Sequence, residues 1–159
     1  MKNIGQSMKH EVISISVSAT IREAAALFVK EHIGTLPVVD RGGKLVGILH
    51  IRDLLELTMP SFVSLVEDFD FVRGDFSIFE TLLPPQEVAA QPASSIMVAP
   101  VSVRASSGLL RAFAIMNSHQ LYDIPVADDD DRLVGLASRV DIGTALLADW
   151  RSAAAEGAE

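Results

Sequence analysis

The residue types best suited to bind a ligand lie near the end of the chain, where Gly135, Ser138, Arg139 and Asp141 follow one another closely. A serine followed three residues later by an acid, just before the apolar stretch IGTALLADW, is typical of a helix N-terminus. Backbone N–H groups and the helix dipole favour phosphate there. Asp141 could accept both hydroxyls of a diol, and Arg139 could donate charge-assisted hydrogen bonds to a phosphate. The same spacing also describes a capping box without any ligand, so both interpretations stay open.

The sequence lacks the common patterns of catalytic and metal sites. It contains no cysteine, and its four histidines show no HExxH or comparable spacing. The four aspartates at 128–131 lack the spacing and the glycine of a calcium loop, which favours an exposed hairpin turn. There is no GxSxG, GxGxxG or P-loop motif, and no nucleophile is paired with a base. We therefore predict no catalytic residue, no metal site, no required cofactor and no enzymatic activity.

Composition narrows the classes of partner. The formal charge of −8 argues against nucleic acid or an anionic membrane as the main partner. No apolar run is long enough to span a membrane, and the N-terminus lacks the apolar segment of a secretory signal, so we expect a cytoplasmic protein. Apolar residues make up 49% of the 159 residues, a high share that favours a subunit interface and hence a homodimer.

An internal repeat supplies the elements that position these residues. Pro37 and Pro125 lie in matching contexts (125 − 37 = 88), and the same offset relates LVG at 45–47 to LVG at 133–135 and Asp53 to Asp141. Each copy predicts a short strand, a helix, two strands joined by a turn, and a closing helix. The predicted ranges are 12–15, 20–31, 35–39, 45–49 and from 51 in the first copy, and 100–103, 108–119, 122–127, 132–137 and from 139 in the second. The fold class is therefore α/β (α+β), with two β-α-β-β-α units related by a pseudo-twofold axis and helices packed on small mixed sheets.

The repeats divide the chain into four parts. We place the first repeat at 1–58, an insertion at 59–92, the second repeat at 93–149 and a flexible tail at 150–159. The insertion carries five of the seven phenylalanines and predicts a helix that is kinked at Pro60. So many aromatic residues favour packing against the rest of the chain or a partner subunit.

The ordered repetition of PV, LVG and an aspartate six residues after the glycine resembles a tandem pair of cystathionine-β-synthase (CBS) domains, also called a Bateman module. The resemblance implies a regulatory sensor that binds an adenosine-containing ligand in the cleft between the repeats. The ligand would be AMP, ADP, ATP, S-adenosylmethionine or a dinucleotide. In such members the hydroxyl contacts phosphate and the aspartate accepts hydrogen bonds from the ribose. The ligand-binding residues carried over from the family are Gly135, Ser138, Arg139, Asp141, Tyr122, Asp123, Ile124, Pro125, Val101 and Ser102 for the second repeat, and Ile13, Thr35, Leu36, Pro37, His50 and Asp53 for the first.

The first repeat departs from the family motif at one position. His50 stands where threonine or serine is expected, so the first site is degenerate, selective for another ligand or pH-sensitive. The family also implies a homodimer formed through the repeat helices, and a regulated partner protein that the sequence does not name. The alternative function is a ligand-free interaction or dimerisation module, in which the motif survives only as a helix cap.

Overall fold

The computed structural model describes residues 2–59 and 84–156, and their elements follow the order predicted from the repeat. The predicted kink at Pro60 and most of the phenylalanine-rich insertion lie outside these residues. The strands are β1 (Ile15–Ser16), β2 (Thr35–Val39), β3 (Leu45–His50), β4 (Asp123–Ala127) and β5 (Leu133–Ser138). The helices are α1 (Ile21–Glu31), α2 (Ile51–Glu56), α3 (Gln86–Ala89), α4 (Leu109–Ser118) and α5 (Arg139–Glu156), with 3-10 turns at Ile4–Gln6 and Ala93–Ser95.

The strands form two small sheets, of three and two strands, whose hairpins repeat each other residue by residue. β1 pairs in parallel with β2, and β2 pairs with β3 in an antiparallel hairpin. β4 and β5 form the corresponding hairpin, in which Val126 is opposite Gly135 as Val38 is opposite Gly47. Both hairpins shift register one residue after these pairs, so even the irregularity is duplicated. The mixed α/β fold class is confirmed.

The first strand of each repeat is shorter than predicted. The run 12–15 contributes only its last residue to β1, and the run 100–103 contributes only an isolated bridge between Val103 and Val126. Val103 donates its N–H to the carbonyl of Pro125 and accepts from the N–H of Ala127. Because only Val103 makes these bonds, the run 100–103 forms no regular strand there.

Helix α1 begins at a complete capping box. Glu23 donates its backbone N–H to Oγ1 of Thr20 over 3.2 Å, and its carboxylate accepts the Thr20 N–H over 2.7 Å. The backbone N–H and the hydroxyl of Thr20 both donate to this carboxylate and hold the pKa of the exposed Glu23 carboxyl below its usual value. Ile21, Ala24 and Phe28 then face the core. At the other end of the chain, α5 continues to Glu156 and so includes residues 150–156 of the segment that we place after the second repeat.

Each repeat is completed by the segment that precedes the other repeat. The turn at Ile4–Gln6 packs into the core of the second repeat, where Ile4 is fully buried beside Val103 and Leu109. The turn at Ala93–Ser95 packs into the core of the first repeat, and the N–H of Ala93 donates to the carbonyl of Ala19 over 2.7 Å. The two repeats therefore form one interlocked unit.

The two hairpin turns meet at equivalent residues. Lys44 forms a backbone bridge with Arg132, its counterpart 88 residues later. Leu45 donates to the carbonyl of Asp131 over 2.9 Å, and Leu133 donates to the carbonyl of Gly43 over 3.1 Å. The bridge joins two equivalent residues, and the two hydrogen bonds beside it are equivalent to each other, so the pseudo-twofold axis passes between these turns. The aspartates at 128–131 form the β4–β5 turn as predicted.

Candidate functional site

The Ser138–Asp141 pair lies at the start of α5, the position that the sequence predicts for a phosphate-binding helix N-terminus. Oδ2 of Asp141 accepts the backbone N–H of Ser138 over 2.8 Å and its hydroxyl over 2.7 Å. The N–H of Asp141 donates in return to Oγ of Ser138 over 3.0 Å. The pair is therefore a reciprocal cap, and both side chains are half-buried.

The second carboxylate oxygen of Asp141 is not used by this cap. Within residues 2–59 and 84–156, no side chain or backbone group donates a hydrogen bond to Oδ1. A carboxylate oxygen that is half-buried beside a helix N-terminus can accept the hydroxyls of a sugar without disturbing the cap. The arrangement is thus chemically able to hold a diol.

Arg139 is partly committed to the protein itself. Its Nε donates to the carbonyl of Leu121 over 2.6 Å, and its guanidinium lies 5.0 Å from the centre of the Tyr122 ring. Its backbone N–H donates to the carbonyl of Tyr122 over 2.9 Å. Arg139 therefore fixes the chain that enters β4, and its predicted contact with phosphate depends on its remaining donors.

The other predicted residues of the second repeat lie at different depths. Asp123 is paired with Ser138 across the β4–β5 hairpin, so it adjoins the cap. Ile124 and Pro125 are fully buried, and Tyr122 is 74% exposed. Val101 packs against the core beneath the site, and Ser102 is exposed. The predicted ligand-binding residues before and within β4 thus divide into core residues and surface residues, and Asp123 is half-buried.

The first repeat places His50 and Asp53 where the second places Ser138 and Asp141. Oδ2 of Asp53 accepts the His50 backbone N–H over 2.7 Å and lies 3.3 Å from its Nδ1. Thr35 is paired with His50 across β2 and β3 and is 4% exposed, whereas Ile13 is 38% exposed. The remaining predicted residues, Leu36 and Pro37, are fully buried.

A direct side-chain contact joins the two predicted sites. The hydroxyl of Thr35 donates to Oδ2 of Asp123 over 2.8 Å. These residues are 88 positions apart and therefore equivalent in the two repeats. Both residues are among the ligand-binding residues predicted from the sequence, but the sequence does not predict a hydrogen bond between them.

Sequence reasoning missed the residues that cover the motif glycines. A Cβ at Gly135 would lie 2.3 Å from Sδ of Met8, and a Cβ at Gly47 would lie 2.3 Å from Sδ of Met97. The adjoining Lys9 forms a backbone bridge with Leu136 on β5. The only signal is that the two methionines recur at an offset of 89, one residue away from the main series. These glycines are required by packing, whatever their part in ligand binding.

A separate apolar cavity lies on the helical face of the first repeat. It has a volume of about 540 Å³ and contains none of the predicted ligand-binding residues. Its walls are α1, α2, α3 and the chain around Pro84. Val29, Ile51 and Leu55 line it and are 79%, 43% and 54% exposed. Most of the described lining is apolar, with Arg22, Thr58 and Gln86 as its polar members, so this face has the character of an interface.

The part of the chain that the structure describes was also compared with the requirements of a metal site and of a membrane-spanning helix. No group of three or more histidine or acidic side chains in 2–59 and 84–156 could hold a metal ion. No helix in the same ranges has both the length and the hydrophobicity needed to cross a membrane.

Comparison with known proteins identifies the duplicated unit. The family model of the CBS domain matches residues 1–59 and 93–148. CBS domain-containing protein CBSX1 of Arabidopsis thaliana is 29% identical in an alignment 156 residues long, which covers 94% of this chain and 66% of that protein. The chain spans only 35% and 58% of two other curated relatives.

Solved structures show the same fold. The crystal structure of CBSX2 in complex with AMP superposes with a TM-score of 0.70 at 22% identity, covering 93% of this chain and 98% of that one. The CBS domain pair of protein MJ0100, in complex with 5′-methylthioadenosine and S-adenosylmethionine, gives 0.66 at 21% identity, with 91% and 99% covered. Together with the two family matches, these similarities confirm the resemblance found in the repeat, and the chain belongs to the CBS domain family as a tandem pair of CBS domains.

Proposed function

We propose that this CBS pair is a regulatory module that binds an adenosine-containing ligand at the second site, around Ser138 and Asp141. The observation that carries the proposal is the carboxylate of Asp141, of which one oxygen caps α5 and the other is available to a ribose diol. Relatives of the same fold support the class of ligand, since CBSX2 was crystallised with AMP and MJ0100 with two adenosyl compounds.

The geometry also supports a particular orientation of the ligand. A phosphate or other anionic group would approach the N-terminus of α5, an 18-residue helix whose dipole favours negative charge there. The ribose would then lie against Asp141, and the base would lie toward the start of β4. Ligand binding would shift the equilibrium between conformations only by its difference in affinity for them.

A thermal-shift series with AMP, ATP, 5′-methylthioadenosine and S-adenosylmethionine tests the proposal. A ligand at about 100 times its dissociation constant adds about 2.7 kcal/mol to the free energy of unfolding. For a chain of this size that corresponds to a rise in Tm of roughly 5–10 °C. If none of these compounds raises the Tm or gives heat by calorimetry, the sensor function is wrong and the chain is an interaction module.

We also propose that the module forms a homodimer through its helices. The apolar cavity on α1 and α2 supports this, as does the exposure of Leu110 on α4 and of Val140 and Trp150 on α5, each at least 70%. Large apolar side chains exposed on helices are typical of surfaces that a second subunit covers. A regulated partner protein would then respond to a change in the dimer.

Analytical ultracentrifugation of Val29→Asp tests the dimer. Val29 is 79% exposed and lines the cavity, so an aspartate there should dissociate a dimer without disturbing the monomer fold. Lys30→Asp is the matched control, because Lys30 is exposed but is not among the residues that line the cavity. If both variants sediment like the wild type, the cavity is not a dimer interface. A dimer that still fails to bind any adenosyl compound would favour the ligand-free dimerisation function.

A further inference from the structure

The hydrogen bond between Thr35 and Asp123 joins equivalent positions of the two repeats, so it lies on their pseudo-twofold axis. Thr35 is 4% exposed and Asp123 is half-buried, so the 2.8 Å bond is partly shielded from water. Two carboxylates facing each other on the axis would repel one another. The divergence of the repeats at this position, to a hydroxyl in one and a carboxylate in the other, creates one donor and one acceptor.

Each member of the pair adjoins the capping residue of one site. Thr35 is opposite His50 in the β2–β3 hairpin, and Asp123 is opposite Ser138 in the β4–β5 hairpin. Each capping residue is bonded in turn to the aspartate three residues later. An unbroken path of backbone pairing and hydrogen bonds therefore runs from one site to the other.

We infer that the Thr35–Asp123 bond couples the two sites, so that a change at the His50 site alters ligand affinity at the Ser138 site. The inference rests on the proposed function only in that the second site must bind an adenosyl ligand. A displacement of β2 moves the Thr35 hydroxyl, and Asp123 either follows it or loses a partly buried hydrogen bond. Because Asp123 is paired with Ser138, the displacement reaches the cap. Thr35 is thus a positioning residue for a site in the other repeat.

A measurement without ligand tests the path directly. The backbone amides of His50 and Ser138 are donors in the two caps, so their ¹⁵N NMR resonances report on the two sites. Asp123→Asn keeps the shape of the side chain and should shift both resonances. In a Thr35→Val background, Asp123→Asn should still shift the amide resonance of Ser138 but should no longer shift that of His50. If His50 shifts equally in both backgrounds, the coupling does not pass through Thr35 and the inference is wrong.

A titration with AMP, followed at the Ser138 amide, tests the consequence for binding. His50→Thr should change the second-site Kd by about threefold to thirtyfold. In the Thr35→Val background it should change the Kd by about twofold or less. Thr35→Ser keeps the donor and should behave like the wild type. A change caused by His50→Thr that is equally large in both backgrounds overturns the inference. If AMP does not bind the wild type at all, the proposed function fails for AMP, and the ligand-free measurement alone decides the coupling.

Discussion

Replacing Asp141 with alanine separates a ligand-binding role from a purely structural one. The carboxylate accepts two hydrogen bonds from Ser138, at 2.8 and 2.7 Å, and caps α5. Loss of a helix cap costs about 1 kcal/mol of the free energy of unfolding. For a chain of 159 residues this lowers the Tm by roughly 2–4 °C, so Asp141→Ala should remain folded.

The expected loss of affinity is much larger than the loss of stability. A ribose diol would donate two hydrogen bonds to the Asp141 carboxylate, and a hydrogen bond to a charged group contributes about 1.5–3 kcal/mol. Removing both should weaken AMP binding by a factor of about 100 or more. Calorimetry with AMP measures the Kd, and thermal unfolding without ligand measures the structural cost.

Asp53→Ala is the matched control, because Asp53 is the counterpart of Asp141 and accepts the His50 N–H over 2.7 Å. It should lower the Tm by a similar amount but weaken AMP binding at the second site far less. If Asp141→Ala binds AMP as tightly as the wild type while both variants lose equal stability, then Asp141 is only a helix cap. The assignment of the second site would then be wrong.

Three further substitutions test how the fold positions the site. Gly47→Ala should lower the free energy of unfolding by about 1–3 kcal/mol, because the new Cβ would lie 2.3 Å from Sδ and 2.8 Å from Cγ of Met97. Chemical denaturation measures this loss, and an unchanged midpoint would contradict the packing argument. Gln120→Gly should raise the free energy of unfolding by about 1 kcal/mol, since Gln120 has a φ of 54°, and a loss of stability would refute the argument. Glu23→Gln should be less stable than the wild type at neutral pH. Because Thr20 lowers the folded-state pKa of Glu23, the difference in stability between wild type and variant should shrink below about pH 4. Urea denaturation at several pH values measures it, and a difference that does not change with pH would exclude a role for the Glu23 charge.

The hairpins and the main helices could be predicted from the sequence because their signals are local. Alternating and apolar runs, turn residues and capping residues act within a few positions, and the repeat supplied each signal twice. The left-handed residues show how faithful the duplication is. Gly43 and Asp131 have φ of 78° and 62°, and His32 and Gln120 have 55° and 54°. In both pairs the two positions are 88 residues apart.

The interlocking of the repeats could not be predicted because it depends on contacts distant in sequence. Ile4 is buried with Val103 and Leu109, which are 99 and 105 positions away (103 − 4 and 109 − 4), and Met8 closes over Gly135. Met8 and Met97 recur at an offset of 89, so a search at the main offset passes over them. The resemblance to the family accounts for Gly135 only as part of a ligand-binding motif. The structure shows a second reason, because Met8 from the other repeat occupies the space that a Cβ at Gly135 would need.

The capping and ligand-binding interpretations of Asp141 are compatible because they use different oxygens. Oδ2 makes the cap, and Oδ1 takes no hydrogen bond within the part of the chain that the structure describes. The first repeat differs at this point, since Oδ1 of Asp53 lies 3.7 Å from Nε of Arg52 in an ion pair. His50 also crowds Oδ2 with its ring, whose Nδ1 is 3.3 Å away. A diol at Asp53 must compete with a cation and a bulky ring, whereas a diol at Asp141 meets a carboxylate oxygen already oriented by the cap. The ion pair with Arg52 therefore favours the second repeat for the proposed adenosyl ligand on a ground independent of the missing hydroxyl.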